Sequence, residues 1–156
     1  MSHAYHPATF ALQAVIAQSN VVERELARLL GLNATDYRAL SALQQWSRQE
    51  SVTMSGLGAA LGTTAATTSA IVHRLERAGY AQRNRAETDR RLVTIEPTPL
   101  AWQKIVEIMR PLMGATDAWV KALRPEDAQL VTEFLQVMAT HLTDHAATLA
   151  AQEADR

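Results

Sequence analysis

The sequence predicts a mainly α protein with a small β-hairpin wing (α+β), that is, a winged helix-turn-helix flanked by N- and C-terminal dimerisation helices. Three observations carry this expectation. Two helical stretches meet at Gly62-Thr63-Thr64, and two helices joined by a short glycine-containing turn make a helix-turn-helix. Directly after Gly79 the apolar period changes from helical to two, with a charged loop between two short runs, which is a hairpin placed as a wing. Long amphipathic stretches flank this unit on both sides.

The elements follow in order from apolar spacing and capping residues. Phe10, Leu12, Val15, Ile16, Val22, Leu26, Leu29 and Leu30 recur at helical intervals without Pro or Gly from Ala8 to Leu30, and Gly31 ends that helix in the left-handed conformation. Asn33 or Thr35 caps a second helix to about Trp46, with Tyr37, Leu40, Leu43 and Trp46 on one face. Ser47 to Thr53 reads as a connector, and a short helix starts at Met54 or Ser55 and ends at Leu61. The next helix, Ala65 to Ala78, buries Thr68, Ile71, Val72 and Leu75, and Gly79 follows as its stop. Tyr80–Arg83 and Leu92–Ile95 form the strands of the hairpin, which is too small to stand without packing on the helices. Thr98 and Pro99 open a fifth helix to about Leu123, kinked at Pro111 or Gly114. Pro125-Glu126-Asp127 opens the last one, with acids where the helix dipole favours them, and its alanine-rich end frays from about Ala146.

At 156 residues, 47% hydrophobic and 20% charged, the chain has globular composition, which excludes wholesale disorder. The absence of cysteine excludes a disulfide scaffold, a thiol nucleophile, a thiol redox sensor and any cysteine-based zinc site. No apolar stretch approaches the roughly 18 residues of a membrane span, and Met1 to Pro7 lack the basic start and apolar run of a signal peptide. A cytoplasmic protein with no membrane partner is expected. No glycine-rich phosphate loop, G-x-S-x-G elbow or H-E-x-x-H occurs, so the chain does not read as an enzyme, and no cofactor is expected.

The formal net charge is −1, yet the charge is uneven. Between Thr63 and Ile95 six arginines (Arg74, Arg77, Arg83, Arg85, Arg90, Arg91) face three acids (Glu76, Glu87, Asp89), while the rest of the chain is net acidic. Arginine pairs best with phosphates and guanine edges. A helix entering the major groove needs small or hydrogen-bonding side chains near its N-terminus. Thr64, Ala66, Thr67, Ser69, Ala70, His73 and Arg74 supply them, and Ala66, Thr67, Ala70, His73 and Arg74 lie away from the face of Ile71, Val72 and Leu75. Arg85, Arg90 and Arg91 lie in or beside the exposed hairpin turn, where an arginine can enter the minor groove. Asp89 can orient Arg91 by a bidentate pair.

The run Leu57–Gly62, Thr64 to Gly79, Arg83, Asp89-Arg90-Arg91 and Val93-Thr94-Ile95 resembles the multiple antibiotic resistance regulator (MarR) family, most characteristically from His73 to Thr98. The resemblance implies homodimers with interlocked terminal helices, which bind pseudo-palindromic promoter DNA, usually as repressors. It also implies release by small, often aromatic or phenolic, ligands held between the dimer region and the DNA-binding lobe. The chain departs from the family pattern at Ala70, where an arginine is frequent, at Pro97 in place of a common leucine, and at Ala101 in place of a common glycine.

Within that frame residues 1–31 form an N-terminal dimerisation helix, 32–97 the winged helix-turn-helix lobe, and 98–156 the C-terminal dimerisation helices of one intertwined domain. The broad apolar stripes of the first, fifth and sixth helices independently support a dimer, which places two recognition helices roughly 34 Å apart on double-stranded promoter DNA. Tyr37, Trp46, Trp102 and Met109, with Arg24 and Ser41 as polar partners, are the candidate effector residues. His141 and His145 have the i, i+4 spacing of zinc ligands, but with no third ligand evident they read as surface histidines, and no metal site is expected. The competing functions are a ligand- or protein-binding adaptor of the same fold without DNA binding, and a metal-responsive regulator.

Overall fold

The computed structural model describes residues 5–46, 52–85 and 93–154. Its elements run α1 (Pro7–Leu30), α2 (Ala34–Trp46), β1 (Val52–Thr53), α3 (Met54–Leu61), α4 (Ala65–Arg77), β2 (Ala81–Arg85), β3 (Val93–Pro97), α5 (Pro99–Lys121) and α6 (Pro125–Ala154). The mainly α architecture with a small antiparallel sheet is the one the sequence predicts.

Local capping explains most boundaries. The His6 ring Nδ1 accepts the Ala8 N–H at 3.2 Å and Pro7 takes the first helical position, so α1 begins one residue earlier than expected. At its other end Gly31 adopts φ 69°, its N–H donates to Arg28 O at 3.1 Å, and the Leu32 N–H donates to Ala27 O at 2.9 Å. That pair of bonds satisfies two carbonyls the helix would otherwise leave open. Asn33, rather than Thr35, caps α2, because its Oδ1 accepts the Asp36 N–H at 2.9 Å. Thr98 caps α5, accepting the Ala101 N–H at 3.2 Å while donating to Gly79 O at 2.6 Å.

The sheet corrects the sequence reading in two ways. It has three strands in the order β1-β3-β2, all antiparallel. Val52 and Thr53, expected in a connector, pair with Ile95 and Thr94; the rest of that connector, 47–51, lies outside the described residues. The first hairpin strand starts at Ala81 rather than Tyr80, and the second continues to Pro97 rather than ending at Ile95, with Ala81 opposite Pro97 and Arg85 opposite Val93; Leu92 lies outside the described residues. Tyr80 accounts for the later start. Its N–H donates to Leu75 O at 2.8 Å, closing the end of α4, and its buried hydroxyl donates to Leu30 O at 3.1 Å. A residue whose N–H caps a helix cannot donate it to a ladder.

Two compact units make up the chain, Met1–Ile108 and Met109–Arg156. In the first, Leu40 and Leu43 of α2, Leu57 of α3, Ile71, Val72 and Leu75 of α4 and Ile95 of β3 are fully buried. Each contributes about 1.5–3 kcal/mol by leaving water. This core lies directly beneath α4. In the second unit α6 is helical to Ala154, and none of its residues with described burial is buried. α5 runs as one helix through Pro111 and Gly114.

Candidate nucleic-acid interface

The N-terminus of α4 is built from four threonines. Thr64 is its cap, with Oγ1 accepting the Thr67 N–H at 3.3 Å and lying 3.0 Å from Thr67 Oγ1. Thr68 is fully buried; its hydroxyl donates to Thr64 O at 2.9 Å and lies 2.9 Å from Thr63 Oγ1. Close packing of α3 on this turn depends on Gly58, because a Cβ there would stand 2.8 Å from Thr68 Oγ1. The helix-turn-helix is thereby closed from within, and the opposite face of α4 stays open. Thr64, Ala66, Thr67, Ser69, Ala70, His73 and Arg74 are all exposed on it, as their spacing predicts.

Arg74 has an additional engagement. Its Nε donates to Asp36 Oδ2 at 2.8 Å and its Nη2 to Oδ1 at 2.6 Å. The Asp36 side chain is 4% exposed against 45% for Arg74, so a nearly buried carboxylate receives a half-exposed guanidinium. Those hydrogen bonds, with the carboxylate charge, outweigh desolvation and hold the Arg74 proton more tightly than usual. Sequence reasoning placed Arg74 on the DNA face and missed Asp36. The two are 38 positions apart, and only the buried partner in the fold connects them.

The wing is described at its base. Asn84 Nδ2 donates to Glu96 Oε2 at 2.7 Å across the two strands, and Arg83 lies 3.4 Å from Glu76 of α4. The Arg85 backbone belongs to β2, opposite Val93, rather than to the loop. Asp89, Arg90 and Arg91 lie outside the described residues.

Of the candidate effector residues, Arg24 and Tyr37 come together. With Asn20, Glu23, Ala27, Ala34 and Arg38 they line a groove of about 250 Å³ between α1 and α2. Ser41, Trp46, Trp102 and Met109 do not line it. Asn20, Glu23 and Arg38 were not among the effector candidates, although Asn20-Glu23-Arg24-Ala27 and Ala34-Tyr37-Arg38 are each one helical stripe. Burial, then the nearby Glu23 charge, pushes the Tyr37 hydroxyl above its ordinary pKa. A second hollow, about 330 Å³, lies between α3 and the start of α4, lined by Met54, Ser55, Gly58, Ala59, Thr63, Ala65 and Thr68. Among the described residues no three His, Asp or Glu side chains gather as a metal site, and no described helix is long and apolar enough to cross a membrane.

Comparison with known proteins follows the same outline. A model described as MarR family matches residues 30–92, a stretch that holds the last residue of α1 and all of α2 to β2 and ends before β3. The chain is 31% identical over 109 residues to the uncharacterized HTH-type transcriptional regulator YcgE of Bacillus subtilis (strain 168), covering 70% of this chain and 69% of that protein. The chain belongs to the MarR family of transcriptional regulators. That is a family of regulators and not of enzymes. The same fold is seen in the crystal structure of the MepR Q18P mutant from a multidrug-resistant S. aureus clinical isolate, with TM-score 0.68, 16% identity, and coverage of 89% of this chain and 99% of that one. The crystal structure of an S. aureus MepR–DNA complex matches with TM-score 0.55, 17% identity, and coverage of 86% and 98%. In this MarR-family chain the match contains the braced α4, while the long apolar helices α5 and most of α1 lie outside the matched residues.

Proposed function

We propose that the chain is a homodimeric, sequence-specific DNA-binding repressor of the cytoplasm. Its α4 and wing engage pseudo-palindromic promoter duplex, and a small aromatic or phenolic ligand releases it. The observation that carries the DNA reading is the exposed row Thr64, Ala66, Thr67, Ser69, Ala70 and His73 on a helix whose other face is fully buried. Small side chains let the backbone approach base edges, and threonine methyls and hydroxyls suit thymine and phosphate. Support also comes from MepR, a protein of the same fold that has been solved with DNA.

A second copy of the chain is the natural cover for the exposed apolar residues of the long helices. Phe10 and Val15 of α1, Val106, Leu112, Met113 and Trp119 of α5, and Leu130, Phe134, Leu135 and Leu142 of α6 all stand in solvent in a single chain. Apolar patches on that scale mark protein interfaces. The groove holding Arg24, Arg38 and Tyr37 beside Glu23 supports the ligand reading, since its two cations outnumber the one carboxylate and, with the phenol, suit an aromatic anion. Such a ligand lowers DNA affinity only by as much as it prefers the non-binding arrangement.

Electrophoretic shift of the chain's own promoter region, with salt raised stepwise, tests the reading alongside light scattering for mass. A dimer whose affinity falls steeply with salt is expected, because phosphate contacts dominate. A monomer, or a dimer that shifts no promoter fragment at low salt, overturns it.

A further inference from the structure

The Asp36–Arg74 pair adds a directional polar tie to the apolar packing of α4 on α2. The threonine cluster and Gly58 pin the N-terminal end of α4 to α3. The pair instead joins the last turn of α4 to the first turn of α2. Asp36 is itself fixed before it meets Arg74: Asn33 Nδ2 donates to its Oδ2 at 2.9 Å, and its N–H is held by Asn33 Oδ1 at 2.9 Å. Behind it, Ala39, Leu40 and Leu43 of α2 are fully buried. The carboxylate is therefore a rigid anchor at the N-terminal end of a core helix, where the dipole favours its charge.

Arg74 lies one turn beyond Ala70 and next to His73, at the end of the exposed row. A fork of two parallel bonds fixes both the distance and the angle of the guanidinium, and so adds a directional restraint at the C-terminal end of a helix whose rotation the buried Thr68, Ile71, Val72 and Leu75 set only to within the play of apolar packing. A small error in that rotation displaces every side chain of the row from its base edge, and misplacement by about an ångström is costly in positioned chemistry. Meanwhile the paired arginine's charge is neutralised locally, and two of its nitrogens are occupied.

We infer that Asp36 is a positioning residue for DNA binding, acting through Arg74, and that Arg74 serves as a strut orienting α4 rather than as a phosphate contact. This rests on the DNA-binding reading above.

The test is a double-mutant cycle of Asp36→Asn, Arg74→Ala and both, read as promoter affinity at several salt concentrations, with Arg74→Lys added. For a strut, each single variant loses affinity by roughly tenfold, and the double loses no more than the worse single, the signature of residues acting as one unit. The salt slope stays at the wild-type value, and lysine, which keeps the cation but cannot form the fork, fails to rescue. For a direct phosphate contact, Arg74→Ala flattens the slope by about 0.9, lysine restores most of the affinity, and Asp36→Asn leaves binding equal or tighter; that pattern overturns the strut. Circular dichroism confirms folding of each variant, and if the alanine variant unfolds, lysine against wild type decides alone. Failure of the wild type to bind any promoter duplex at low salt overturns the DNA-binding reading itself, and this role with it.

Discussion

Asp36 and Arg74 meet as two forks, Nε to Oδ2 at 2.8 Å and Nη2 to Oδ1 at 2.6 Å, across 38 positions of sequence. The asymmetry of the pair governs its energetics. The carboxylate is almost out of water while the guanidinium is half in it. Losing the arginine therefore strands a buried charge, whereas losing both groups strands no charge.

Stability should follow that asymmetry. Arg74→Met is expected to lower the urea midpoint clearly, and adding Asp36→Leu to recover part of the loss. Equal or additive losses in the two variants would show that the carboxylate is not dependent on its partner.

Two glycines should respond to alanine for different reasons. Gly58→Ala forces a Cβ to within 2.8 Å of Thr68 Oγ1 and should cost about 1–3 kcal/mol as overpacking. Gly31→Ala meets no atom within 4 Å but holds φ at +69°, so its cost, about 1–2 kcal/mol, is backbone alone. Thr68→Ala added to Gly58→Ala should recover stability, and the same change added to Gly31→Ala should not. Urea midpoints of the two double variants separate these causes.

Alkaline pH should act through Tyr37. Burial and then Glu23 raise the Tyr37 pKa above 10.0, so the folded chain keeps a phenol proton that the unfolded chain gives up. Its contribution is full below the unfolded value and is lost as pH rises through the folded value. The ultraviolet tyrosinate titration of the wild type minus that of Tyr37→Phe should have its midpoint above 10, and Glu23→Gln should move it back part of the way. An unshifted midpoint would remove Tyr37 from a desolvated, acid-flanked groove.

The helix-turn-helix was legible because its signals are local. Thr64, Gly62 and the Thr68-Ile71-Val72-Leu75 spacing lie within one or two turns of one another, and capping and periodicity act over that range. The wing was legible as a change of period, but its register was not, since neither run alone says which residues pair across the two strands. β1 left no trace that pattern could detect. Two residues, Val52 and Thr53, carry no alternation, and their partners Ile95 and Thr94 are more than forty positions away.

The candidate site divides along the same line. The exposed row on α4 needs only helical spacing and a buried opposite face, so Thr64, Ala66, Thr67, Ser69, Ala70 and His73 could be named from residue order alone. The effector candidates needed packing: Arg24 and Tyr37 share a groove with Arg38 and Glu23, while Trp46 and Trp102, chosen for their chemistry, do not line it. Residue order by itself determined the helices, the caps at Thr64 and Thr98, the turn and the family, because each is written in neighbours along the chain. The partner of Arg74 was decided only by folding, because which carboxylate a guanidinium reaches depends on packing, and α2 brings Asp36 to it through a core that no local pattern describes.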